Sequence, residues 1–148
     1  MPPEKTKVRL SDLVEEALAF LELRPLDSGI ELVRALEEDL PDVTADPAQI
    51  RQVLVNLLVN AVQAMPRGGR LEVRTGSETD FVFVMIADSG VGMSEDVRRK
   101  LFTPFFTTKD VGEGTGLGLA VASGIVNSHG GTIRMESEVG RGTRFEVR

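Results

Sequence analysis

The sequence predicts a two-layer α/β sandwich, with helices stacked on one face of a mixed sheet. Three observations carry this reading. Strand-like and helix-like segments follow one another in mixed order, not as a regular βαβ alternation. Residues 71–77 with 81–87, and 132–137 with 143–147, read as two hairpins, the second turning around Gly140–Gly142. A chain of 148 residues is also long enough for one domain with a proper core.

Taken in order, residues 1–7 are polar and read as a loose lead-in, the remnant of an upstream linker, and 8–10 as a short strand. Ser11 is the expected cap of a helix reaching residue 23, with Leu13, Ala17, Leu18 and Leu21 on one face and Pro25 stopping it. Residues 30–36 follow as a strand. Asp46-Pro47-Ala48-Gln49 is a strong helix start, since Asp46 can cap, Pro47 suits the first turn and Gln49 can reach back. That helix runs to about Met65, where Pro66, Gly68 and Gly69 end it. After the first hairpin, 88–116 is glycine-rich with one short helix near 94–101. A last helix spans 117–129 and stops at Gly130-Gly131 before the second hairpin.

Composition narrows the chemistry. The chain is 41% hydrophobic and 27% charged, as expected for a soluble domain. Its 23 acidic against 17 basic residues give a net charge of −6, which disfavours nucleic acid or an acidic membrane surface as partner. It does not exclude a small anion held by backbone amides. The absence of cysteine rules out disulfides, thiol catalysis and cysteine-ligated zinc, and a single histidine, His129, rules out a multi-histidine metal site. No apolar run approaches the roughly 18 residues of a membrane span, and the N-terminus does not resemble a signal peptide. Membrane attachment is therefore expected outside this chain.

Three segments carry chemistry. Asn56 and Asn60 lie four apart and share a helix face, with Gln49, Gln52 and Gln63 extending the polar stripe opposite a core face of Val53, Leu54, Leu57, Leu58, Ala61 and Val62. Carboxamide oxygens suit Mg²⁺, which takes one or two protein oxygens beside waters and phosphates. Alone, the stripe also reads as the solvated side of an amphipathic helix, although such sides usually carry charge. Asp88-Ser89-Gly90-Val91-Gly92 follows an apolar strand, and Asp88 can accept a hydrogen bond from an exocyclic amine such as adenine N6 while the glycines leave room for a flat ring. Alone, this too reads as an ordinary turn. Phe102, Phe105 and Phe106 precede Lys109 and the run Gly114-Thr115-Gly116-Leu117-Gly118, which opens a helix. Amides at a helix start among glycines suit phosphates, and Lys109 supplies a point charge. A flexible linker is the plain alternative, but linkers do not usually hold three phenylalanines in five residues. Gly-Lys-Ser/Thr is absent, and no strand directly precedes the glycine run, so neither a Walker loop nor a dinucleotide fingerprint is present.

Together and in this order, these segments resemble the GHKL ATPase superfamily, specifically the histidine-kinase catalytic domain. Asn56 to Asn60 resembles the family's asparagine box, Asp88 to Gly92 its first glycine box, Phe102 to Phe106 its phenylalanine box and Gly114 to Gly118 its second glycine box. Gly140-Arg141-Gly142-Thr143 resembles the last motif, whose threonine sits near adenine. The likeness covers residues 8–148. It implies a Bergerat fold with a mostly antiparallel sheet, binding ATP or ADP with Mg²⁺ beneath a mobile lid of about 102–116. Asn60, then Asn56, would serve the metal. Asp88, Gly90, Gly92, Phe105, Gly114, Thr115, Gly116, Leu117, Gly118 and Thr143 would line the nucleotide site, and Asn56 and Lys109 would be catalytic.

Hydrolytic members of the superfamily carry a glutamate four residues before the metal asparagine, as general base for water. This chain has Asn56 there, a poor base, which favours phosphoryl transfer to a protein side chain. The resemblance implies a cytoplasmic domain of a two-component sensor kinase that donates phosphate to a histidine on a separate dimerisation domain, and so indirectly to a response regulator. The alternatives are an anti-sigma-factor-type serine kinase and a non-hydrolysing nucleotide switch. His129 is a poor acceptor: it ends a helix, where a capping role is favoured, and Gly130 follows it instead of the acid beside the family's acceptor.

Overall fold

The computed structural model describes residues 3–22, 30–65, 68–79, 81–90, 118–138 and 142–147. Among the described residues seven strands and three helices follow one another: β1 (Thr6–Val8), α1 (Leu10–Glu22), β2 (Ile30–Ala35), β3 (Val43–Ala45), α2 (Pro47–Gln63), β4 (Gly69–Glu78), β5 (Phe81–Asp88), α3 (Gly118–Ser128), β6 (Ile133–Glu138) and β7 (Gly142–Val147). β2, β4, β5, β7 and β6 form a five-stranded sheet in that order, in which β2–β4 is parallel and every other pair antiparallel. β1 and β3 form a separate two-stranded ribbon. The expected sandwich is present, including both hairpins.

The core lies between sheet and helices. α1 buries Leu10, Leu13, Val14, Ala17, Leu18 and Leu21 at helical spacing, and α2 buries Val53, Leu54, Leu57, Leu58 and Ala61. Opposite them, strand alternation sends Leu71 and Val73 of β4, Val84 and Ile86 of β5 and Phe145 of β7 into the same cluster. Val62 is only half-buried, at the margin of the core face. α2 packs against both α1 and α3.

Local chemistry fixes the ends of α2 and α3. The Asp46 carboxylate accepts hydrogen bonds from Ala48 N at 3.0 Å and Gln49 N at 3.2 Å, and Pro47 occupies the first turn, so the expected cap forms. α3 ends in a Schellman turn, with Gly130 N on Asn127 O and Gly131 N on Val126 O, both at 3.0 Å, and Gly130 left-handed at φ 74°.

Three expectations need correction. Thr6 and Lys7 do not belong to a loose lead-in, and the first strand is Thr6–Val8, not 8–10, because it pairs with β3, a strand too short and mixed to show a period. Ser11 is not the cap of α1. Arg9 O already accepts from Asp12 N and Leu13 N, and Ser11 sits inside the first turn, 8% exposed. Its hydroxyl instead donates to Glu37 O at 2.9 Å and lies 3.0 Å from Thr75 Oγ1, which accepts from Glu37 N at 2.9 Å. This ring of bonds joins the start of α1, β4 and the segment after β2, and it satisfies two buried hydroxyls at once. Thr75→Val keeps the strand-favouring shape but takes the acceptor from Glu37 N–H at a part-buried position, leaving Ser11 only its bond to Glu37 O. It should cost about 1–3 kcal/mol, read from the midpoint of chemical denaturation.

Candidate functional site

β5 delivers Asp88 to the end of the sheet. Being the last residue of an apolar strand, it stays on the helix-facing side and is only 7% exposed. Across the ladder it faces Leu71 on β4 and Thr143 on β7, and Thr143 is itself 6% exposed. Burial pushes the Asp88 carboxyl above its ordinary range, while the backbone N–H groups of Gly90 and Thr143 act in the opposite direction. Gly90 N donates to Asp88 Oδ1 at 2.9 Å, closing the turn. The result is a dry carboxylate held in one orientation beside a buried hydroxyl.

The turn after Asp88 is pinned to α2 and β4. Ser89 N donates to Arg70 O at 3.1 Å and Ser89 Oγ accepts from Arg70 N at 2.8 Å, carrying the ladder one step past the strand. A Cβ at Gly90 would stand 2.2 Å from Ala64 O, so the glycine is required by the close approach of the α2 C-cap. Asn60 lies one helical turn before Ala64 and Asn56 two turns before, both half-buried on α2. The two asparagines therefore flank the core face instead of standing opposite it.

Gly142 was legible only as part of a turn, yet its fit is among the tightest at the site. Its φ is 109°, and a Cβ there would lie 2.0 Å from Asp88 O. Gly142→Ala should combine backbone strain with a forced shift of β7 from β5, lowering stability by about 2 kcal/mol or more in thermal or urea unfolding.

Gly92, Phe105, Lys109, Gly114, Thr115, Gly116, Leu117 and the span 102–116 lie outside the described residues, as do Pro25 and the short helix near 94–101. Gly118 is the first residue of α3. Among the described residues no group of three His, Cys, Asp or Glu side chains could hold a metal ion, and no helix is long and apolar enough to cross a membrane. A hard cation would find carboxamide oxygens at Asn56 and Asn60, a donor set that fits Mg²⁺ only if phosphates and waters complete it.

A buried carboxylate thus closes a central strand of an α/β sandwich, with a threonine in register beside it and an asparagine-bearing helix packed on the same turn. Residues 45–148 match the family described as histidine kinase-, DNA gyrase B-, and HSP90-like ATPase, and the chain belongs to it. Within that family it is a histidine-kinase type of ATP-binding domain. It is 42% identical to sensor kinase CckA of Brucella abortus, over 93% of this chain and 16% of that protein. With sensor histidine kinase ZraS of Escherichia coli it shares 40% identity, over 95% of this chain and 30% of the relative. The chain thus spans less than a third of these relatives. Among solved structures, the catalytic domain of histidine kinase ThkA superposes with a TM-score of 0.85 at 32% identity, covering 97% of this chain and 93% of that one. Full-length ShkA in complex with AMPPNP gives 0.86 at 28% identity, covering 99% of this chain and 31% of that one.

Proposed function

We propose that this domain lies in the cytoplasm, binds ATP with Mg²⁺ and donates the γ-phosphoryl group to a histidine on a separate dimerisation domain of a two-component sensor kinase. The observation that carries the reading is Asp88, buried at the end of β5 with Thr143 opposite in register. A fixed, dehydrated acceptor of this kind recognises an exocyclic amine such as adenine N6, and leaving it unpaired is costly. The complex of ShkA, a structural neighbour, with AMPPNP supports nucleotide binding by a domain of this fold.

The transfer needs little covalent chemistry from the protein. The acceptor imidazole attacks the γ-phosphorus, a P–N bond forms, the bond to the β-phosphate oxygen breaks and ADP leaves. Mg²⁺, held through Asn60 and Asn56, would neutralise phosphate charge. From the sequence, Lys109 and the amides of 114–118 would hold the terminal phosphates. Asn56 would orient groups without taking a proton from water, which keeps hydrolysis slow. The response regulator would then receive the phosphate from that histidine.

The test is incubation of the chain with γ-labelled ATP, with and without a histidine-bearing helical hairpin from the parent kinase. Acid-labile label on the hairpin is the expected result, with none on the chain alone. Label on His129 would overturn the assignment of a separate acceptor, and acid-stable label on an added serine-bearing partner would favour the anti-sigma-type kinase.

A further inference from the structure

His129 follows the last turn of α3, and its ring makes two well-formed bonds. Nε2 accepts from Asp46 N at 3.0 Å, and Nδ1 lies 2.8 Å from Ile125 O, one turn back along α3. A carbonyl can only accept, so Nδ1 carries the proton. Nε2 accepts an amide proton, so it carries none. The network therefore assigns a neutral imidazole with its proton on Nδ1. The Asp46 amide it binds belongs to the N-cap of α2, and Asp46 Oδ2 accepts from Glu4 N at 2.9 Å in the segment entering β1.

This bond joins the C-terminal end of α3 to the N-terminal end of α2, so the two packed helices run antiparallel. The 11 residues of α3 span about 16 Å, as do about 11 residues of α2 measured from Pro47. That places Gly118, the first residue of α3, about level with Asn56 and Asn60. The first residue of α3 and the carboxamides proposed for a metal therefore fall at similar heights along the packed pair, whose far ends the His129 bond joins.

We propose that His129 is a positioning residue for the phosphate end of the nucleotide site, setting the offset of α3 against α2 through Asp46 N. This rests on the nucleotide reading above. Asp88 and Thr143 are held by the sheet ladder, whereas the His129 ring bonds to the α2 N-cap and to α3, so the two ends of the ligand respond differently to its loss.

The experiment compares His129→Leu and His129→Gln in the whole chain. His129→Leu removes the acceptor, whereas the glutamine oxygen can take the place of Nε2. Calorimetry with Mg-ATP, Mg-ADP and adenosine should show about tenfold weaker ATP binding for His129→Leu, a smaller loss for ADP and none for adenosine. His129→Gln should return ATP affinity to within about twofold of the parent chain. Amide exchange at Asp46 should quicken in His129→Leu and recover in His129→Gln, which tests the clamp without nucleotide. Equal loss for all three ligands would reveal a merely structural role and overturn the proposal, as would unchanged ATP affinity beside a lowered melting temperature. A parent chain that binds no nucleotide would overturn the proposed function and the positioning role with it, whereas binding that His129→Leu leaves intact overturns only the latter.

Discussion

Asp88→Asn should abolish measurable ATP and ADP binding, weakening it by at least about a hundredfold, and yet make the empty domain more stable. The binding loss follows from polarity: the carboxamide sets an amine where the ligand's amine needs an acceptor, in a site too dry for water to repair the mismatch. The stability gain follows from burial, the dominant influence on this carboxyl, which raises its pKa in the folded state. A carboxyl that holds its proton more tightly when folded stabilises the fold at acid pH. That contribution is lost as pH rises through the raised folded value. Melting curves of the two proteins should therefore converge at acid pH and separate towards neutrality, with the variant the more stable. Calorimetric titration at neutral pH checks the other half. Unchanged nucleotide affinity would remove Asp88 from the site, and a neutral-pH melting temperature below that of the parent chain would show that the bonds from Gly90 and Thr143 outweigh its burial.

Legibility in the sequence followed the range of the interaction. The α2 start was readable because Asp46, Pro47 and Gln49 act within one turn, and the core face was readable because Val53, Leu54, Leu57, Leu58 and Ala61 repeat at helical period. The two hairpins were readable for the same reason. What depended on partners distant in sequence was not. Ser11 looks like a cap beside any helix, and only the arrival of Thr75, 64 residues on, turns it into a buried tie. β3 has three residues and exists because β1 pairs with it. His129 was readable as a helix end, but its bond to Asp46 spans 83 residues and has no local signature. The parallel pairing of β2 with β4, and the place of β7 between β5 and β6, are likewise set by the packed sheet. At the candidate site, Asp88 and Thr143 were named from motifs, whereas the crowding of Gly90 on Ala64 and of Gly142 on Asp88 appears only with the backbone in place.

Asn60→Ala should separate binding from chemistry. Asn60 is half-buried on α2 beside the core face and not within it, and alanine is the best helix former, so the fold should survive with a melting temperature near that of the parent chain. Its loss removes the oxygen proposed as the first protein ligand of Mg²⁺, and with it several kcal/mol of charge stabilisation on the transferring group. Transfer to an added phosphoacceptor hairpin should fall by about a hundredfold or more. The adenine end is proposed to rest on Asp88 and Thr143, which pair across β5 and β7 away from Asn60, so ADP affinity measured in chelator should change by no more than about twofold. The gain in affinity that Mg²⁺ gives the parent chain should disappear. Asn56→Ala is the companion variant: four residues earlier on the same helix, it should slow transfer less if Asn60 is the principal ligand. A normal transfer rate in Asn60→Ala would place the metal elsewhere. A loss of ADP affinity in chelator equal to the loss in Mg²⁺ would show that Asn60 supports the site's shape and not its ion.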